Sequence, residues 1–277
     1  MRPKADLRQA FSFSTKPSGM SSSRDCISEI VPTRLVELGQ AVGLEMVVCK
    51  PSTLGPFPTL VFNHGSTSSG DKPALFRRTM MNPSVVNFFV DRGWMVVFPQ
   101  RRGRGRSGGL YDEGFKADRS GYSCEPELSL PGLDRAIEDV DAAIEHIRKR
   151  PDVDQKRLLI AGASRGGVLA IAYAGARPET FLGAINFNGG WLGQLCPAHP
   201  EVNRTASVRG APFPKQTLWL HGSYDQYYRI AQCRENFEAF RAAGGTGSFH
   251  ALKGGHGLVA QPRLWAEAMA GYLAAVA

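Results

Sequence analysis

Short apolar runs alternate along the chain with longer amphipathic stretches. Runs rich in β-branched and aromatic residues predict strands at 30–38, 44–50, 60–62, 94–98, 157–161, 182–186, 218–220 and 248–252, the first two as a hairpin. Helical patterns fill the intervals at 85–89, 133–147, 166–177, 230–243 and 264–276. This alternation is typical of βαβ crossovers, and it predicts an α/β fold with a mostly parallel central sheet of about eight strands and helices on both faces.

The same pattern divides the chain into a tail and one domain. Residues 1–28 are rich in Ser, Lys and Arg without a hydrophobic period, and we expect a disordered N-terminal tail there. Residues 29–277 are predicted to form a single domain. Two long irregular stretches, near 100–131 and 188–217, are predicted loop insertions, and the second is a candidate cap over a site.

Composition excludes several classes of protein. The chain has 277 residues, 43% of them hydrophobic, and no apolar run approaches the roughly 18 residues that a membrane span needs. We therefore expect a soluble protein without a membrane partner. Residues 1–28 lack the apolar core of a secretory signal, so we expect the cytoplasm as the default location. The cysteines are odd in number and form no CxxC pair, which favours neither a disulfide framework nor a metal site. They are Cys26, Cys49, Cys124, Cys196 and Cys233.

The net charge of +8 raises the question of a nucleic-acid partner. Basic residues are dense only at 101–106, where Arg101, Arg102, Arg104 and Arg106 stand without an aromatic residue for base stacking, so we expect no nucleic acid. The overlapping string GRGRSG at 103–108 fits a dinucleotide-binding turn. That turn has to open a helix, and polar residues and glycines follow instead, so we expect no nicotinamide or flavin cofactor.

The string G-x-S-x-G, typical of a serine nucleophile, occurs twice. Its mechanism requires a strand, a tight turn and then a helix, so that the serine is exposed at the strand end. The copy at 105–109 lies in the polar loop and opens no apolar helix. The copy at 162–166 directly follows the strand LLIA and opens the apolar run VLAIA, which selects Ser164. Close strand–helix packing is the alternative reason for its glycines.

A serine hydroxyl needs a base to take its proton and an acid to orient that base. Asp225, just after the strand at 218–220, is the single aspartate between Ser164 and the histidine of GGHG at 254–257. That histidine, His256, follows the last strand in an exposed glycine turn. Ser164, Asp225 and His256 therefore stand in the order expected when successive strands carry nucleophile, acid and base. A plain glycine turn around His256 is the alternative.

The supporting groups are predicted from the same strand ends. The N–H of Arg165 and an N–H from the turn after His64, at Gly65 or Ser66, are candidates for an oxyanion hole. The His64 side chain is expected to brace that turn. Trp191 and Leu192 are candidates for the pocket wall, with a buried structural tryptophan as the equal alternative.

The order of these motifs along the chain resembles that of the α/β-hydrolase superfamily. The motifs are His64-Gly65, the GASRGG string at 162–167, Asp225 and the GHG string at 255–257. The doubled glycine after Ser164 is similar to the dienelactone-hydrolase and prolyl-oligopeptidase-like branch. The resemblance implies the α/β-hydrolase fold and a Ser–His–Asp mechanism without a cofactor or metal, on esters or sometimes peptides. We expect an esterase of modest-sized carboxylic esters, with a homodimer possible. An acyltransferase, a peptidase and a non-catalytic ligand-binding protein on the same fold stay open.

Overall fold

The computed structural model describes residues 26–67 and 73–276. Its strands are β1 (Cys26–Glu37), β2 (Gln40–Cys49), β3 (Phe57–Asn63), β4 (Met95–Pro99), β5 (Val153–Ala163), β6 (Gly183–Phe187), β7 (Thr217–Gly222) and β8 (Gly247–Leu252). Its helices are α1 (Pro73–Phe76), α2 (Pro83–Val90), α3 (Pro126–Ile147), α4 (Arg165–Ala176), α5 (His199–Val208), α6 (Ile230–Ala242) and α7 (Pro262–Val276). The predicted tail lies outside the described residues up to position 25, and its last three residues begin β1.

The eight strands form one sheet in the order β1-β2-β4-β3-β5-β6-β7-β8. β1, β2 and β4 pair antiparallel, and every pair from β4 to β8 is parallel. This confirms the predicted mostly parallel α/β sheet. The carboxyl ends of β3, β5, β6 and β7 therefore meet at one edge, where the loops that follow them can assemble a site.

Helices cover both faces of the sheet. α2 and α7 bury one apolar face, whose core contains Phe62, Phe98 and Trp265. α3, α4, α5 and α6 cover the other face, around Val168 and Trp219. Because both faces are buried, the central strands are continuous apolar runs rather than alternating ones. Within the described residues, no helix combines the length and apolarity required to cross a membrane.

The predicted hairpin is confirmed, with a tight turn at Leu38 and Gly39, both at positive φ (49° and 75°). Two predicted loop insertions are shorter than expected. α3 begins at Pro126, before the predicted end near residue 131, with Pro131 inside the helix. The stretch 188–217 contains α5, which the sequence did not reveal because it is mostly polar and buries few apolar side chains, Val202 and Ala206 among them.

The prediction that the cysteines form no disulfides is wrong. Cys26 pairs with Cys49 across the β1–β2 hairpin, and Cys124 pairs with Cys196. Cys233 is free and buried. The odd total concealed two pairs, because separations of 23 and 72 residues carry no local signal. Disulfides persist mainly in oxidising compartments, and the cytoplasmic location stays a prediction.

Candidate active site

Ser164 lies on the turn between β5 and α4 in a strained backbone conformation, with φ 58° and ψ −128°. The flanking glycines are required by close approach. A Cβ on Gly162 would lie 2.1 Å from the carbonyl oxygen of Gly166, and one on Gly166 would lie 2.2 Å from that of Asn63. The glycines therefore allow close packing of the strand against the helix, and the same turn has the geometry of a nucleophilic serine. Ser164 is half-buried at the sheet edge, and a strained conformation of this kind is typical of a functional turn.

His256 and Asp225 form a hydrogen-bonded pair. His256 Nδ1 lies 2.8 Å from Asp225 Oδ2, and the aspartate side chain is only 2% exposed. The other carboxylate oxygen accepts hydrogen bonds from the backbone N–H groups of Tyr227 (2.7 Å) and Tyr228 (3.1 Å). With its two oxygens occupied, Asp225 holds the imidazole in one orientation.

Asn188 positions the histidine loop, a role that the sequence analysis missed. Its Nδ2 donates to the carbonyl oxygens of Gly255 (2.8 Å) and His256 (2.9 Å), and its Oδ1 accepts from the N–H of Gly222 (2.7 Å). Asn188 follows β6 at φ 46°. An Asn-Gly-Gly string after a strand was the available signal, since asparagine tolerates positive φ better than most residues.

Tyr228 was also missed. Its side chain is buried, its ring centroid is 5.5 Å from that of His256, and its hydroxyl donates to the Gly190 carbonyl at 2.7 Å. Burial raises the pKa of Tyr228, against smaller opposing effects of Arg165 and of a hydrogen bond with the Ser164 side chain. The phenol therefore stays protonated beside the nucleophile.

The turn after β3 is in contact with the nucleophile. A Cβ on Gly65 would lie 3.1 Å from Ser164 Cβ and 3.7 Å from its Oγ, so only glycine fits without displacement. His64 is buried and braces this turn as expected, with Nδ1 2.8 Å from the Gly65 carbonyl oxygen and Nε2 accepting from the Arg101 N–H. Burial, Arg101 and Arg104 lower the pKa of His64 well below its usual value, so its ring is neutral.

Arg165 begins α4, so its N–H has no acceptor within the helix and is available at the site. Its buried guanidinium donates to the carbonyl oxygens of Trp191 (2.9 Å) and Glu113 (2.6 Å) and stacks on the rings of Tyr122 and Trp191. Trp191 and Leu192 are 1% and 2% exposed and belong to the core. We therefore assign them to the support of the site rather than to its wall.

The second G-x-S-x-G copy is structural. The Ser107 hydroxyl donates to the Gln100 carbonyl oxygen (2.7 Å) and accepts from the Glu45 N–H (2.8 Å). Arginines of the same segment form ion pairs: Arg101 with Glu113, Arg102 with Asp139, and Arg106 with Glu45. The basic cluster is thus largely internal. The described part of the chain contains no group of three or more residues suited to hold a metal ion.

The sheet order, the strained serine and the histidine–aspartate pair define a serine hydrolase of the α/β-hydrolase superfamily. Residues 80–242, more than half of the chain, match the family described as serine aminopeptidase, S33. The chain belongs to this family. The superfamily prediction is confirmed, while its dienelactone-hydrolase-like subclass stays a prediction. No curated protein sequence matches the chain.

Solved structures show the same fold. An acetyl xylan esterase from Paenibacillus sp. R4 is 17% identical with a TM-score of 0.60, over 92% of this chain and 90% of that one. A Pyrococcus furiosus esterase is 15% identical with a TM-score of 0.61, over 91% and 89%. The acylaminoacyl peptidase of Pyrococcus horikoshii is 16% identical with a TM-score of 0.57; the match covers 86% of this chain but 39% of the peptidase. At these identities the likeness is one of fold.

Proposed function

We propose that the chain is a serine esterase of modest-sized carboxylic esters, with Ser164 as nucleophile, His256 as base and Asp225 as the orienting acid. The observation that carries the proposal is the strained Ser164 turn at the same sheet edge as the His256–Asp225 hydrogen bond of 2.8 Å. The substrate partner is a small-molecule ester. No cofactor, nucleic acid or membrane partner is part of the proposal, and a homodimer stays a prediction.

In the proposed mechanism, His256 removes the Ser164 proton as Oγ attacks the ester carbonyl. The N–H of Arg165 and one from Gly65 or Ser66 stabilise the oxyanion. The C–O bond to the leaving group then breaks, and the alcohol departs with the proton from His256. Water, deprotonated by His256, attacks the acyl-enzyme; the acid is released and Ser164 regains its proton.

The test is hydrolysis of p-nitrophenyl acetate, butyrate and octanoate, together with labelling by a fluorophosphonate mapped by mass spectrometry. We expect the label on Ser164, and Ser164→Ala to lower kcat by about 10³-fold or more. Ser107→Ala, in the other G-x-S-x-G copy, is the matched control and should keep both label and turnover. An unlabelled Ser164, or equal rates for Ser164→Ala, would overturn the assignment.

A peptidase on the same residues is the second candidate, favoured by the family description and by the fold shared with an acylaminoacyl peptidase. Aminoacyl p-nitroanilides compared with the p-nitrophenyl esters distinguish the two. Turnover of anilides at rates comparable to esters would move the assignment to peptidase. Ester products formed with added alcohols would instead indicate an acyltransferase.

A further inference from the structure

One arginine of the basic segment differs from its neighbours. The Arg104 side chain is fully buried, and its Nη1 donates to the Leu75 carbonyl oxygen at 3.3 Å. Its Nε and Nη2 are buried without a hydrogen-bond partner in the described part of the chain. Burial lowers the pKa of Arg104, but a guanidinium remains protonated in proteins. Buried charged donors are nearly always paired, so this exception requires an explanation.

The charges around Arg104 are not matched. Arg101 donates to the Glu113 carboxylate, and Arg165 Nη1 lies 3.8 Å from its other oxygen. The same carboxylate also stabilises the charge of Arg104 at longer range. Three buried guanidinium groups therefore share Glu113. The next buried carboxylate, Asp139, is hydrogen-bonded to Arg102. An additional anion in this cluster would be stabilised strongly by the low dielectric.

The cluster adjoins the nucleophile. Arg165 directly follows Ser164, and both terminal nitrogens of Arg101 donate to the carbonyl oxygen of His64, which precedes the Gly65 turn. The Arg104 N–H donates to the Arg101 carbonyl oxygen at 2.9 Å, and Arg104 contributes, after burial and Arg101, to the lowered pKa of His64. The hydroxyl of Thr67, three residues after His64, is likewise buried without a partner among the described residues. The unpaired donors thus lie beside the loop that contacts Ser164.

The two unpaired nitrogens of Arg104 indicate which chemical class of ligand would fit. Nε and Nη2 lie on the same edge of the guanidinium plane and direct two parallel N–H bonds outward. That edge matches the two oxygens of a carboxylate, the bidentate arrangement for which arginine is suited better than lysine. The Phe76 and Tyr111 rings lie beside the guanidinium, with centroids 5.9 and 5.2 Å from Arg104 Cζ.

We propose that Arg104 is a specificity residue that binds a free carboxylate of the substrate, so that the natural ester is anionic. The inference rests on the proposed hydrolase function of Ser164. A site built to hydrogen-bond a charged group discriminates strongly against an analogue that lacks it, because the buried donors are then left unpaired.

The test uses two pairs of esters that differ only by a carboxylate in place of a methyl group. Monoethyl adipate and ethyl hexanoate place the difference on the acyl side, and 4-acetoxybutanoate and butyl acetate place it on the alcohol side. Rates are followed by pH-stat titration, and the readout is the ratio of kcat/KM within each pair. We expect the wild type to favour the carboxylate in one pair; a ratio at or below one in both would overturn the proposal.

Arg104→Gln should lower kcat/KM for the preferred anionic ester by about 10- to 100-fold more than for its neutral partner. Arg104→Lys keeps the charge without the two-donor edge and should restore part of the preference. Arg106→Gln, on the same segment but 56% exposed and paired with Glu45, is the matched control and should keep the ratio. A preference that survives Arg104→Gln would show that Arg104 does not bind the substrate.

A binding experiment separates this inference from the proposed function and from loss of folding. Adipate, but not 1,6-hexanediol, should raise the Tm of the Ser164→Ala protein and should not raise that of Ser164→Ala with Arg104→Gln. If no ester is hydrolysed but adipate binds through Arg104, the esterase proposal fails and the carboxylate site stands. If adipate leaves the Tm of Ser164→Ala unchanged, the carboxylate site is excluded.

Discussion

At the scale of single residues, the site depends on positions where a side chain has no room. The Ser164 turn brings β5, α4 and the end of β3 so close that Gly162 and Gly166 touch backbone atoms directly. The space around these glycines is too small for an added methyl group, because the neighbouring main-chain atoms cannot rotate away as a side chain can. The two glycines therefore permit the close packing in which Ser164 adopts its strained backbone conformation.

Gly166→Ala is expected to destabilise the protein by about 3 kcal/mol, because its Cβ would lie 2.2 Å from the Asn63 carbonyl oxygen. The matched control is Gly271→Ala on α7, where nothing lies within 4 Å of the added Cβ. That substitution should stabilise the helix by about 0.5–1 kcal/mol. Urea unfolding followed by circular dichroism measures both, and equal effects would contradict the packing argument.

At the scale of elements, the long connection between β4 and α3 is anchored rather than loose. Arg101 pairs with Glu113 within it, Arg102 ties it to Asp139 of α3, and Cys124 joins it to Cys196. The disulfide links this connection to the segment after β6 that contains Asn188 and Trp191. Two segments on the carboxyl edge of the sheet are thus held together on one side of Ser164.

Two disulfides and one buried thiol make a direct count possible. In guanidinium chloride without reductant, Ellman's reagent should titrate one thiol per chain, and five after reduction. Replacing Cys124 and Cys196 together with serine should cost up to about 4 kcal/mol, since the pair closes a loop of 72 residues. Five thiols before reduction would contradict the pairing.

At the scale of the whole molecule, the buried carboxylate of Glu45 connects the antiparallel end of the sheet to the loop after β4. Glu45 on β2 is 1% exposed and accepts hydrogen bonds from Thr79 (3.0 Å), the N–H of Arg106 (2.7 Å) and the Arg106 side chain (3.0 Å). Burial by itself raises the pKa of Glu45, but these bonds and one from Ser28 together lower it by more, so the net shift is downward. A depressed folded-state pKa stabilises the protein above the unfolded value and loses that effect as pH falls.

Glu45→Gln should therefore lower the free energy of unfolding at pH 7 by about 2 kcal/mol, and the difference from wild type should shrink as pH falls below about 4.5. Glu267→Gln, an exposed glutamate of α7, should leave the stability close to wild type at both pH values. Urea midpoints at pH 7 and pH 4 give the comparison. A Glu45 effect that is equally large at both would contradict the linkage argument.

The sequence by itself determined the sheet, the strand ends and the order of the candidate catalytic residues. Apolar runs and amphipathic periods are local, and each strand buried on both faces has to be apolar along its length. The Ser164 turn is also local, since its glycines, its strand and its helix are consecutive. His256 and Asp225 could be predicted because each follows the carboxyl end of a strand, where catalytic side chains are expected in this kind of sheet.

Only the tertiary structure decided the contacts between segments distant in the chain. Asn188 reaches the histidine loop 68 residues further on, and Cys124 meets Cys196 across 72 residues. Trp191 lies in the core, where its indole N–H donates to the Ser129 carbonyl oxygen on α3, 62 residues earlier in the chain. Arg102 has the carboxylate of Asp139 as its partner, whereas Arg104 has none within the described residues. This difference depends on the folded path of the chain. Periodicity and spacing indicate the secondary structure that each segment favours. The contacts between segments contribute energy only once the sheet has brought the segments together.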